Sequence, residues 1–103
     1  MPEARTFYTD VHNGVRKIAR EEGWHPGSTL FAYNDRRKDG SRRLSYAFNG
    51  WRVPPRMRDA ILTRVCAGLQ MLDIQGCDVY WRISKSVHGP YDKLCIDVPS
   101  NET

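Results

Sequence analysis

Cysteine is scarce in this chain, and no two cysteines are spaced as a pair. Cys66, Cys77 and Cys95 form an odd, scattered set. That excludes a disulfide framework and leaves free thiols, a residue type usually found buried. There is no Cys-x-x-Cys and no His-Glu-x-x-His, and His12, His25 and His88 lie far apart. No local zinc motif exists, and no metal is expected; Cys77, Cys95 and His88 could meet only through the fold. A glycine-rich phosphate loop is also missing, since Asp39-Gly40-Ser41 reads as a turn. No serine or cysteine stands in a local signature with a base and an orienting acid. Carboxylates occur singly except at Glu21-Glu22. The chain is therefore expected to have no catalytic residues and no cofactor. No apolar run approaches the ~20 residues of a membrane span, and the first residues, MPEARTFYTD, have no signal-peptide core. A cytoplasmic protein that does not engage membranes is the expectation.

What remains fits an ordinary folded domain. The 103 residues are 40% hydrophobic and 27% charged, too apolar for a disordered chain. A single domain over 1–103 is expected, with 1–5 and 99–103 as loose termini.

Hydrophobic periodicity orders the elements. Residues 6–22 place Phe7, Val11, Val15, Ile18 and Ala19 on one helical face. Thr6 or Thr9 is the candidate N-cap, and Gly23 the stop. Gly14 lies inside this helix, where it would allow close packing against a strand. Trp24 to Gly27 is a turn, and 28–34 alternates as a strand with Thr29, Phe31 and Tyr33 opposite Leu30 and Ala32. Asp39-Gly40 is a hairpin signal. The chain returns with Leu44, Tyr46 and Phe48 facing one way and Ser45 and Ala47 the other. Asn49-Gly50 signals a second hairpin and a short third strand at Trp51 to Val53. Pro54-Pro55 ends the sheet, with Pro55 suited to a first helical turn.

Residues 56–72 form a second helix, with Met57, Ile61, Val65, Leu69 and Leu72 on its face and Leu62, Cys66 and Met71 widening it. It is expected to be the more buried helix. Gln75-Gly76 closes it. Residues 78–87 and 91–98 alternate as strands around a His88-Gly89-Pro90 turn. The expected fold is a two-layer α+β domain. It has two helices and a mostly antiparallel sheet of four or five strands, in the order α-β-β-(β)-α-β-β. The halves share a coarse helix–hairpin pattern without residue-level similarity.

Charge supplies the functional lead. From Arg36 to Arg58 eight basic residues (Arg36, Arg37, Lys38, Arg42, Arg43, Arg52, Arg56 and Arg58) are opposed only by Asp39. The rest of the chain has eight basic and eleven acidic groups, so the net +4 is one basic block on a slightly acidic background. Arginines outnumber lysines twelve to four, which suits recognition of phosphate and carboxylate. A hairpin tip bearing Arg36 to Arg43 could grip a phosphate backbone. Tyr33, Tyr46 and Trp51 could stack on bases if exposed, although alternation in strands favours the core for them. Arg52, Arg56 and Arg58 crowd the start of the second helix against its dipole, a local cost with no evident structural return. Asp73, Asp78, Asp92 and Asp97 gather in the C-terminal third, so the molecule reads as charged oppositely at its two ends.

The eight basic residues are the candidate site. The first reading is a non-enzymatic binding protein that engages nucleic acid or a nucleic-acid-binding protein complex, held mainly by charge. The alternative is a phage-type inhibitor or adaptor that docks on a host or anti-phage defence protein. Homodimerisation through an unpaired edge strand fits either.

Overall fold

The computed structural model describes residues 4–23, 30–48, 52–71, 76–87 and 89–100, with the side chains of residues 8–23 and 32–48 in the first two stretches. Several sequence expectations lie outside the described residues: the Trp24 to Gly27 turn, Asn49-Gly50, Trp51, the end of the second helix and His88.

Two helices and four strands run in the order α1 (Ala4–Glu21), β1 (Leu30–Arg36), β2 (Arg42–Phe48), α2 (Pro55–Met71), β3 (Asp78–Ser86) and β4 (Gly89–Val98). The strands form one antiparallel sheet in the order β1-β2-β4-β3. Both helices lie on the same face of it: His12 of α1 meets Tyr46 edge-on with ring centroids 5.3 Å apart, and Trp81 Nε1 donates to the α2 carbonyl of Arg58 at 3.1 Å. The other face carries no helix among the described residues. This is the two-layer α+β domain expected, with four strands. No described helix is long and apolar enough to cross a membrane.

The core follows the two periodicities. From the sheet, Leu44, Tyr46, Phe48, Leu94 and Ile96 are fully buried; from the helices come Val11, Val15 and Ala19, and Ile61, Val65 and Leu69. Among the described side chains each helix buries three residues. The pairs Val11 and Ile61, Val15 and Val65, and Ala19 and Leu69 share one spacing in sequence. With the central antiparallel β2–β4 pair, this makes the molecule two helix–hairpin units related by an approximate two-fold axis. That symmetry lies in the placement of core positions, not in residue identity.

Several local expectations are corrected. α1 begins at Ala4, so residues 4 and 5 are helical and neither Thr6 nor Thr9 is its N-cap. Gly23 does end it: its φ is +108°, and Glu22 N donates to Ile18 O at 2.9 Å. Gly14 does not pack against a strand, because a methyl added there would touch nothing within 4 Å. With Gly68 it lines an apolar cleft of about 70 Å³ between the helices. Met71 is 88% exposed rather than part of the α2 core face. Arg52 and Val53 are not strand, because Val53 N–H donates to a carboxylate instead of a neighbouring strand. Gly89 and Pro90 belong to β4, since the ladder closes with Lys85 opposite Pro90 and Ser86 opposite Gly89. The positive φ of Gly89 (+112°) permits so tight a reversal.

Candidate nucleic-acid interface

The β1–β2 hairpin carries the first basic cluster. Its connection is closed by Arg37 N donating to Ser41 O (2.9 Å) and Gly40 N donating to Arg37 O (3.1 Å), with Gly40 at φ +89°. Asp39 caps the loop from within: its Oδ1 accepts from Ser41 N at 2.8 Å and from Ser41 Oγ at 2.6 Å. These bonds hold the Asp39 carboxyl below its usual range. The Asp39-Gly40 signal was thus a real turn, and the tip is a defined loop.

The eight candidate cations do not form one surface. Arg36 and Arg42 lie opposite each other at the loop end of the β1–β2 ladder, whereas Phe48 ends β2 at the far side. Six residues of strand rise separate Arg42 from Phe48, about 20 Å. Arg52, Arg56 and Arg58 follow from that far end. The tip and the α2 entry are therefore at opposite ends of the sheet.

Many of the cations are also occupied. On the open face of the sheet, Asp97 of β4 accepts from Arg43 Nε at 2.8 Å, from Tyr80 Oη at 2.9 Å and from Arg37 at 3.4 Å. Burial would raise the Asp97 pKa, but the hydrogen bonds from Arg43 and Tyr80 outweigh it and hold the carboxyl below its usual value. For Arg43, the Asp97 hydrogen bond holds the guanidinium pKa above its ordinary value. Arg42 lies on the helix side, its guanidinium 4.8 Å from the Tyr8 ring centroid.

At the other end, Asp92 of β4 has no solvent exposure. Its Oδ2 accepts from Val53 N at 2.5 Å and from Arg52 Nε at 3.3 Å, and Arg58 Nη1 lies 3.9 Å from Oδ1. Two of the three arginines at the α2 entry, Arg52 and Arg58, therefore have the structural return that sequence alone did not reveal. α2 has no acidic residue in its first turn, and Asp92 supplies an anion there from another strand. The expected separation of charge between two ends of the molecule is overturned as well. Asp92 and Asp97 pair with four of the eight candidate cations. Asp73 lies outside the described residues.

Arg36, Lys38 and Arg56 remain exposed and without an ion pair among the described residues. Tyr46, a candidate for stacking, is fully buried, and burial pushes its hydroxyl pKa well above the ordinary value. Tyr33 is 48% exposed on the open face, with Lys93 Nζ 5.5 Å from its ring centroid. Sequence reasoning passed over three residues of that face: Tyr80, Arg82 and Lys93. Their signal was present in the alternation of β3 and β4, where polar and aromatic residues occupy the positions opposite the apolar ones. Among the described residues no His, Cys, Asp or Glu cluster could hold a metal ion. Cys95 is buried, while Cys66 and Cys77 are half-buried free thiols, and burial raises the Cys77 pKa. No known protein family, no curated protein and no solved structure matches this chain.

Proposed function

We propose that this is a non-enzymatic binding protein whose β1–β2 hairpin tip anchors it to the phosphate backbone of a nucleic acid. One observation carries the reading: Arg36, Arg37 and Lys38 are exposed around a loop stiffened by its own hydrogen bonds. Arg36 and Lys38 have no anionic partner among the described residues. A loop already closed by its own hydrogen bonds need not be ordered on meeting phosphate, and each phosphate its cations neutralise releases counterions. The role of Arg52 and Arg58 is smaller, because Asp92 already engages them; Arg56 can add a contact only at the far end.

The test is fluorescence anisotropy with labelled single-stranded and duplex oligonucleotides across salt from about 50 to 200 mM. Affinity should fall steeply with salt. The double variant Arg36→Ala, Lys38→Ala should flatten the log–log slope by about 1 per lost contact. Its stability should stay within about 0.5 kcal/mol of the parent, since both side chains are exposed. A flat salt response, or no binding at low salt, would sink the reading.

Docking on a protein is the second reading. It is favoured by Ile83 and Val87, apolar side chains 56% and 96% exposed at the β3–β4 hairpin end. A stoichiometric protein partner recovered after nuclease treatment would select it instead.

A further inference from the structure

The uncovered face of the sheet has a composition that neither helix packing nor the hairpin tip explains. One cross-strand row reads Tyr33, Ser45, Cys95, Tyr80. Its two central side chains are small, and both are buried although no described helix covers them; its two ends are aromatic. Three strand spacings separate the rings, about 14 Å. Tyr80 is fixed by its hydroxyl, which donates to Asp97 at 2.9 Å. Tyr33 is about half exposed, and Lys93 approaches its ring.

The next row away from the hairpin tip places Lys93 beside Arg82, and neither has a carboxylate partner among the described residues. On the tip side, by contrast, the neighbouring row reads Asp35, Arg43, Asp97, Asp78, with Arg43 and Asp97 paired, so that flank is acidic. The face therefore offers two rings, each with a cation beside it (Arg43 6.0 Å from the Tyr80 centroid, Lys93 5.5 Å from that of Tyr33), over a shallow floor with positive charge along one side and acid along the other.

We propose that this face is a stacking platform for the unpaired bases of a single-stranded nucleic acid. Tyr33 and Tyr80 would take bases, and Lys93 and Arg82 the backbone between them. The inference rests on the nucleic-acid reading above but uses a different surface from the tip. Aromatic platforms flanked by cations suit single strands, because every base presents a π face and every linkage an anion.

The experiment compares three labelled strands of roughly 15 nucleotides, within the range a single platform occupies: oligo(U), oligo(dT) and an abasic strand of equal charge. The base-bearing strands should bind about tenfold or more tightly than the abasic one, a margin in line with loss of base–aromatic stacking. Tyr33→Ala should remove that margin, and Tyr33→Phe should keep it. Arg36→Ala, Lys38→Ala should weaken base-bearing and abasic strands alike. A preference for oligo(U) over oligo(dT), or the reverse, would identify the strand while supporting the platform. Equal binding of abasic and base-bearing strands, unchanged in Tyr33→Ala, would overturn the platform and leave the tip reading standing. Loss of all binding at low salt would overturn both. A concentration-dependent dimer in sedimentation that Tyr33→Ala dissolves would assign the face to a second copy and overturn the proposal.

Discussion

Asp92 shows how much of this chain's charge is spent on its own architecture. The residue shares the helix-facing side of β4 with Leu94, Ile96 and Val98, and it is as buried as Leu94 and Ile96. A carboxylate in that position is stable only if its charge is met. Val53 N–H and the guanidinium groups of Arg52 and Arg58 meet it. Replacing Asp92 by Ala leaves the Val53 N–H without its acceptor and empties a packed site. The variant should lose about 3 kcal/mol in urea unfolding. Arg52→Ala should cost under about 1 kcal/mol, because that side chain is half exposed and its loss can be made good by water. Equal costs for the two variants would contradict the account. An aspartate in phase with the apolar residues was visible in the sequence as an anomaly. Its partners were not, because Arg52 and Arg58 reach it only after the turn that leads into α2. The arginines looked like a functional excess for the same reason: their counter-charge is far away in the chain.

At the level of elements, periodicity located both helices and all four strands, because each has one buried face and the core rows record it. Turn chemistry was legible where one residue determines the geometry, as at Gly23 and at Asp39-Gly40. It was misleading where a glycine or proline could serve a strand, as at Gly89 and Pro90, since only the ladder decides between a turn and a tight hairpin end. Glycines inside the helices had an ambiguous meaning too. Gly14 and Gly68 face the same cleft, and methyl groups built on either touch nothing within 4 Å. Neither glycine is there for close packing. Gly14→Ala and Gly68→Ala should therefore each stabilise the fold by about 1 kcal/mol, read as a rise in urea midpoint at constant m-value. Destabilisation by either would mean that the helices approach more closely than the cleft indicates.

The whole molecule is a one-sided sandwich, and that asymmetry is the part least legible in sequence. A run of basic residues suggested one positive surface. Folding divides it between opposite ends of the sheet and pairs half of it with Asp92 and Asp97. What stays available is the hairpin tip and the uncovered sheet face, separated by the Asp97 network. The face was hard to foresee because its residues come from four strands, brought into rows by register alone. The central claim is that these two surfaces, and not the helices, meet a nucleic acid. At 11.9 kDa the protein is small enough for amide chemical-shift mapping on titration with a single strand of roughly 15 nucleotides. The account predicts perturbed amides at 36–42 and around Tyr33, Tyr80, Arg82 and Lys93, with the outer surfaces of α1 and α2 unchanged. Shifts confined to the helices, or no shifts at low salt, would contradict it.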